Sequence, residues 1–381
     1  MGCRLLYLDS YTVSNPKQGA PSSDAIGYGI TASAAIRKGL HALGFEVSCP
    51  SVEAPATAQQ KGVAKLSWIL GNYQAALTRL AEDPPDAVFS FHIFTTFPAE
   101  IRRMVLDLGR STPVVGYTHG SHWDPTDTFR FVAHPGMEIV DLANLHVLDR
   151  LFLVSDYMRR TLRDNIGTLN RKLAEQIDAK AVVVGLPLDV ERIDAGRSGR
   201  RFPRPTIVFN HAPVPSKNPE LFIRVMARLL PSYDISVLFT RNFDRSGPGG
   251  AALAELAERF PDQVVLGRDM PLETYYDALW AADLQVSTAT HESLGVATLE
   301  AMYTGTCCVL PRLGSYPEIC GGHPDVLYDL GDGELEERLR YFLDNPGRRQ
   351  AVGADLQARA GKYHPDRVVG RLAKAVLDVV S

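Results

Sequence analysis

The chain has 381 residues, 45% apolar and 22% charged, with 40 Lys and Arg against 44 Asp and Glu for a formal net charge of −4. One hydrophobic core seldom organises that length, so two domains are expected, and the charge balance excludes a broadly basic nucleic-acid-binding body. Without a long uncharged apolar run or a basic start followed by an apolar stretch, neither a membrane span nor a signal peptide is expected, and the reading is a cytoplasmic protein.

Five cysteines without CxxC or Cys/His spacing argue against a disulfide framework or a zinc site. Along the chain, the apolar run Leu-Leu-Tyr-Leu at 5–8 opens a rhythm of strand then helix. A Gly/Pro/Ser-rich loop leads to a helix over 31–43, and strands follow at 46–48, 87–91, 113–117, 150–154 and 181–184. Helical stretches such as 156–164 separate them, which implies a parallel sheet covered by helices. Residues 192–204 hold five arginines (Arg192, Arg197, Arg200, Arg201, Arg204) among Gly, Ser and Pro. Such a run reads first as a solvated linker and second as an RNA contact. The rhythm then restarts with strands at 206–209, 235–239, 263–266, 284–288 and 307–310, and 365–380 has apolar residues at helical spacing. The domains expected are 1–196 and 206–362, joined by a linker at 197–205, with 363–381 as a terminal helix.

The most informative segment runs from His291 to Gly305, with Glu292 and Glu300 eight residues apart. In one continuous helix these acids would stand about 12 Å apart and roughly 80° around the axis, too far to grip one small ligand. The chain is instead expected to leave a strand, turn through Glu292 to Gly295, and enter a helix capped by Gly305. Glu292 then precedes the helix, Glu300 lies within it, and the amides near Leu294, Gly295 and Val296 face an anion, most simply a phosphate.

This segment, followed by Gly314, Pro317 and Glu318 in a Gly-x-x-Pro-Glu turn, resembles the donor site of the family 4 glycosyltransferases. Val-Phe-Asn-His at 208–211, Lys217 before Asn-Pro-Glu, and the helix at 272–283 stand in that family's order. Within the family the chain is similar to the tRNA-queuosine mannosyltransferases, through Ser-Thr-Ala-Thr-His-Glu at 287–292 and Tyr-Pro-Glu-Ile at 316–319. It departs from them at Ser293, Leu294 and Ala212, where an aromatic pair and an arginine are usual.

The resemblance implies the GT-B architecture: an α/β fold of two doubly wound, Rossmann-like domains facing a central cleft, with the terminal helix returning to the first. It also implies a retaining hexosyltransferase that uses a GDP- or UDP-sugar donor, no further cofactor and no metal. Glu292 would hold donor-sugar hydroxyls, Glu300 the ribose hydroxyls, and Lys217 the diphosphate, with Arg241 replacing the arginine missing at Ala212. Ser293, Leu294, Gly295, Val296, Arg268 and Asn210 would line the donor. His119 would approach the sugar, and His92, Gly27 and Gly29 would lie on the acceptor side. The acceptor expected is a small-molecule hydroxyl, with queuosine-bearing tRNA as the alternative. A nucleotide-sugar-binding protein without transfer, or an isomerase or hydrolase of nucleotide sugars, is the other class.

Overall fold

Apolar runs without alternation belong in strands that helices cover on both faces, and the chain uses them that way twice. The structure is a computed structural model that describes residues 2–9, 28–49, 63–94, 96–127, 136–268 and 270–380. Two units emerge, the first taking the chain up to Pro187 and again from Pro365, the second running from Leu188 to His364.

In the first unit the order is β1 (Arg4–Asp9), α1 (Tyr28–Ala42), β2 (Glu46–Ser48), α2 (Val63–Glu82), β3 (Ala87–Phe91), α3 (Pro98–Asp107), β4 (Val114–Thr118), α4 (Met137–His146), β5 (Arg150–Leu153), α5 (Asp156–Leu169), α6 (Arg171–Lys180) and β6 (Ala181–Val183). The strands form one six-stranded sheet in the order β2-β1-β3-β4-β5-β6, and every pairing is parallel. The second unit contains α7 (Val190–Ala195), β7 (Thr206–Phe209), α8 (Pro219–Leu229), β8 (Ser236–Phe239), α9 (Gly250–Arg259), β9 (Val264–Leu266), α10 (Leu272–Ala281), β10 (Leu284–Val286), α11 (Val296–Tyr303), β11 (Cys307–Pro311), α12 (Tyr316–Ile319), β12 (Leu327–Tyr328), α13 (Asp332–Asp344) and α14 (Pro346–Ala360). Its sheet is also parallel and six-stranded, in the order β12-β11-β10-β7-β8-β9. The succession reverses between β7 and β10, and open parallel sheets bind ligands at such a switch point, beyond the carboxyl ends of the strands.

The last helix, α15 (Pro365–Val380), belongs to the first unit and buries Val368, Val369, Leu372 and Val376. Its Val369 lies so close to Gly39 of α1 that a Cβ on that glycine would come within 2.9 Å of it. The boundary between the units differs from the one read in the sequence. The second unit starts at Leu188 because α7 is tied to it: the Trp280 indole donates to the Ile193 carbonyl at 2.9 Å, and the Tyr303 hydroxyl donates to Asp194 at 3.1 Å. Residues 197–205 likewise lie on that unit, with Ser198 donating to Asp277 and Arg197 stacked on Trp280. Among the described residues no helix is long and apolar enough to cross a membrane.

Candidate functional site

Three loops, at the carboxyl ends of β7, β10 and β11, converge at the switch point of the second unit. After β7, a 3-10 turn over Pro215–Lys217 ends with Asn218 in the left-handed region (φ 46). The segment after β10 holds this turn, since the Thr288 hydroxyl donates to the carbonyls of Lys217 (2.8 Å) and Asn218 (2.9 Å) and the Thr290 amide to Ser216 (2.9 Å). Lys217 is thereby aimed at Glu292. Its ammonium donates to Glu292 Oε2 at 2.6 Å, and the side chains are only 19% and 13% exposed.

The backbone at Glu292 is pinned from the other side by the turn after β11. Ser315 donates its amide to the Glu292 carbonyl at 3.1 Å, and Gly314 (φ 55) passes so close that a Cβ there would stand 2.4 Å from that same oxygen. Gly295 (φ 87) is the N-cap of α11, a left-handed conformation that favours glycine. The amides of the first turn lack helical acceptors, and the helix dipole favours negative charge there.

Glu300, on α11, faces α10. Tyr275 donates its hydroxyl to Oε2 at 2.6 Å and Tyr276 to Oε1 at 3.2 Å, so each carboxylate oxygen carries one phenol. The guanidinium of Arg241, in the loop after β8, lies 5.7 Å from the Tyr275 ring centroid.

The two acids are driven apart. Burial pushes Glu292 up, but the adjacent Lys217 outweighs it and holds the carboxyl below its ordinary value. Burial holds Glu300 above its ordinary value, only partly offset by the Tyr275 hydroxyl and the Arg241 charge. His211 is pushed down to about 3, first by burial and then by the Lys217 charge, so it is neutral at pH 7. Its Nε2 lies 3.2 Å from Gln285 Nε2; the amide is the donor, so His211 accepts there and carries its proton on Nδ1. The assembled cluster offers two cations, one ionised carboxylate, a second carboxylate beside two phenols, and a helix N-terminus. It is equipped to hold a polyhydroxylated anion.

The structure therefore brings Lys217, Glu292, Gly295, Val296, Glu300 and Arg241 into one unit, with Glu292 before the helix and Glu300 inside it as expected. Asn210 is corrected. It is 1% exposed, donates Nδ2 to the Tyr275 hydroxyl (3.1 Å) and the Ala297 carbonyl (2.7 Å), and accepts from Gln285 (3.1 Å). With its amide spent inside the protein, it fixes the start of α11 and does not line the donor. The Leu294 side chain, 2% exposed, is core, leaving only its amide for a ligand, whereas Ser293 is half-buried. Arg268 is exposed in the turn after β9.

In the first unit, His92 and His119 follow the adjacent strands β3 and β4, and their rings meet edge to face at 4.7 Å. Both are nearly buried, and His92 adopts φ 64. Gly29 lies in the first turn of α1, and Gly27 lies outside the described residues. Sequence reasoning passed over Tyr275 and Tyr276, seen only as part of a helix, and over His211, Gln285 and Tyr316. It also passed over His122, whose Nδ1 sits 2.8 Å from the fully buried Asp141, a carboxyl that burial raises to about 6. Adjacent tyrosines on an apolar helix carry no signal of a shared polar partner.

Residues 190–359 match the family model described as Glycosyl transferases group 1. The chain is 26% identical over 179 residues to an MMP alpha-(1->4)-mannosyltransferase of Mycolicibacterium hassiacum, which covers 46% of this chain and 43% of that one. It is 27% identical over 186 residues to a tRNA-queuosine alpha-mannosyltransferase of Drosophila melanogaster, with 46% and 48% covered. The chain thus spans about half the length of the curated relatives it matches. Among solved structures, sucrose-phosphate synthase from Thermosynechococcus elongatus matches with a TM-score of 0.74 at 13% identity over 99% of each chain. At that identity the likeness shows the fold, two parallel-sheet units of the GT-B class.

Proposed function

We propose that this chain, whose residues 190–359 match the group 1 glycosyl transferases, is a retaining glycosyltransferase. It moves a hexose from a nucleotide diphosphate sugar to an acceptor hydroxyl, with fixed cations rather than a metal meeting the diphosphate. The observation that carries this reading is the Lys217–Glu292 ion pair beside the N-terminus of α11, with Arg241 and Glu300 in the same unit. In this assignment Lys217, Arg241 and the α11 amides stabilise the departing diphosphate. Glu292 accepts from sugar hydroxyls and Glu300 from the ribose diol, as carboxylates with two acceptor oxygens can. Attack comes on the face the diphosphate leaves, and a departing phosphate oxygen takes the acceptor's proton.

Two relatives named as mannosyltransferases support mannose as the sugar, and hence GDP-mannose as the first donor to try. The acceptor class we favour is a small-molecule hydroxyl. Queuosine-bearing tRNA is the alternative that the second relative's name supports.

The test is thermal stabilisation by a panel of nucleotide sugars, for wild type and for Glu300→Ala and Lys217→Ala. A ligand at about 100 times its dissociation constant adds about 2.7 kcal/mol. A shift with one donor, lost in both variants, is expected. A shift without release of nucleotide in the presence of any acceptor would select the non-catalytic reading, and no shift with any donor would reject the nucleotide-sugar assignment.

A further inference from the structure

The arginine-rich stretch before β7 lies along the second unit and closes a groove with the ends of α10 and α11 and the flank of α14, of about 830 Å³. Pro205 directly precedes β7, Asp283 precedes β10 and Cys307 starts β11, and all three line the groove. The strands are parallel, so this pole is the one opposite Lys217 and Glu292.

Five arginines and one aspartate line the groove, in a chain whose net charge is −4. Two of the arginines are spent, Arg349 on Asp283 at 2.8 Å and Arg204 on Asp234 at 2.8 Å. The other three, neighbours along one stretch of chain, have no carboxylate partner among the described residues. Arg197 lies 4.4 Å from the Trp280 ring centroid and Arg200 4.9 Å from that of Phe202, while Arg201 donates to the Trp280 carbonyl at 3.3 Å.

The dipoles of α10 and α11 end here with their negative poles, and that explains a cation such as Arg201 bonded to a terminal carbonyl. It does not explain Arg197 and Arg200. Each lies against an aromatic ring, a contact that holds the planar guanidinium while its N–H edge stays available. A held, unpaired guanidinium fits the paired oxygens of a phosphoryl group.

We propose that this groove binds phosphoryl groups through Arg197, Arg200 and Arg201, at a site separate from the nucleotide-sugar site and independent of it. A single-stranded nucleic-acid backbone and a free phosphorylated metabolite share that chemistry.

The experiment measures fluorescence anisotropy of a labelled single-stranded RNA of about 12 nucleotides and, in parallel, calorimetric titration with inorganic pyrophosphate, both with the nucleotide-sugar site already saturated by its donor so that only the groove can respond. Both use the whole chain and a variant carrying Arg197→Gln, Arg200→Gln and Arg201→Gln. Affinity for at least one probe should fall tenfold or more in the variant, with stabilisation by nucleotide sugars unchanged. Three neutralised phosphates give a salt slope of about −2 for a single strand, so RNA affinity should drop roughly 20-fold between about 50 and 200 mM salt. Pyrophosphate binding without RNA binding identifies a free phosphorylated ligand, and RNA binding that pyrophosphate displaces poorly identifies a backbone. Should the triple variant unfold, Arg200→Gln alone, at an exposed position, should still weaken the same probe about threefold. Equal binding by wild type and variants, or no binding of either probe at about 50 mM salt, overturns the proposal.

Discussion

Replacing Lys217 with methionine strips the partner from a carboxylate that is 13% exposed and 2.6 Å away. With an effective dielectric of about 20, unit charges at that distance attract by about 6 kcal/mol, from which desolvation of both ions takes back several. Leaving one ion buried without its partner typically costs about 3–5 kcal/mol. The slight exposure of both groups favours the low end, about 3 kcal/mol. Glu292→Gln keeps an acceptor for the ammonium and should cost less, about 2 kcal/mol. The double variant Lys217→Met/Glu292→Gln removes both charges, so its loss should fall short of the sum by about 1–3 kcal/mol. Calorimetric unfolding of the four proteins at one pH reads this cycle, and for a unit of this size each kcal/mol moves the transition by about 2–4 °C. The lysine variant should therefore melt about 6–12 °C lower. Losses that add within about 0.5 kcal/mol would show that the two ions do not sense each other, and the reading of the pair as the organising contact would fall.

The two carboxylates should also give opposite pH signatures. Glu300 holds its proton more tightly when folded, so the stability it contributes is full below the ordinary carboxylate range and disappears as pH rises through its raised value. Glu292 is depressed, so its contribution is present above that range and is lost as pH falls through its lowered value. Melting curves from about pH 2.5 to pH 8 should show wild type losing ground to Glu300→Gln as pH rises, and to Glu292→Gln as pH falls below the ordinary carboxylate range; parallel curves over that whole range would contradict both assignments. Gly314→Ala should cost about 1–3 kcal/mol, because it places a Cβ 2.4 Å from the Glu292 carbonyl at φ 55. A neutral effect on the melting temperature would show that this turn does not hold Glu292.

Much of this architecture is legible in the chain because buried parallel strands advertise themselves. Runs such as 87–91 and 206–209 became β3 and β7, and apolar residues at helical spacing over 365–380 became α15. The unit boundary was not legible. The stretch 197–205 has the composition of a linker, and partners far along the chain, Trp280, Asp277, Tyr303 and Asp234, hold it and the preceding α7 on the second unit. β12 was missed because two residues, Leu327 and Tyr328, are too few to show a period. At the site, Glu292, Glu300 and Lys217 were singled out through the resemblance of their segments to the family 4 donor site. The partners that set their ionisation were not, since Tyr275 and Tyr276 read only as part of a helix until α10 is laid against α11. Asn210 was misjudged for the same reason, because a polar residue after a strand looks ligand-facing until the atoms that satisfy it are known.

The return of α15 to the first unit gives synthesis a definite order. Among the described residues the second unit is one stretch from Leu188 to His364, and it has all its strands once His364 leaves the ribosome. The first unit, although most of it is made earlier, must wait for its final helix. Until Val368, Val369, Leu372 and Val376 arrive, the surface of α1 around Gly39 is uncovered apolar ground, at about 1.5–3 kcal/mol for each large side chain that remains unburied. Of the two units, the one whose strands are made first is thus the one completed last, and a nascent chain paused before Pro365 presents a completed second unit and an unfinished, aggregation-prone first.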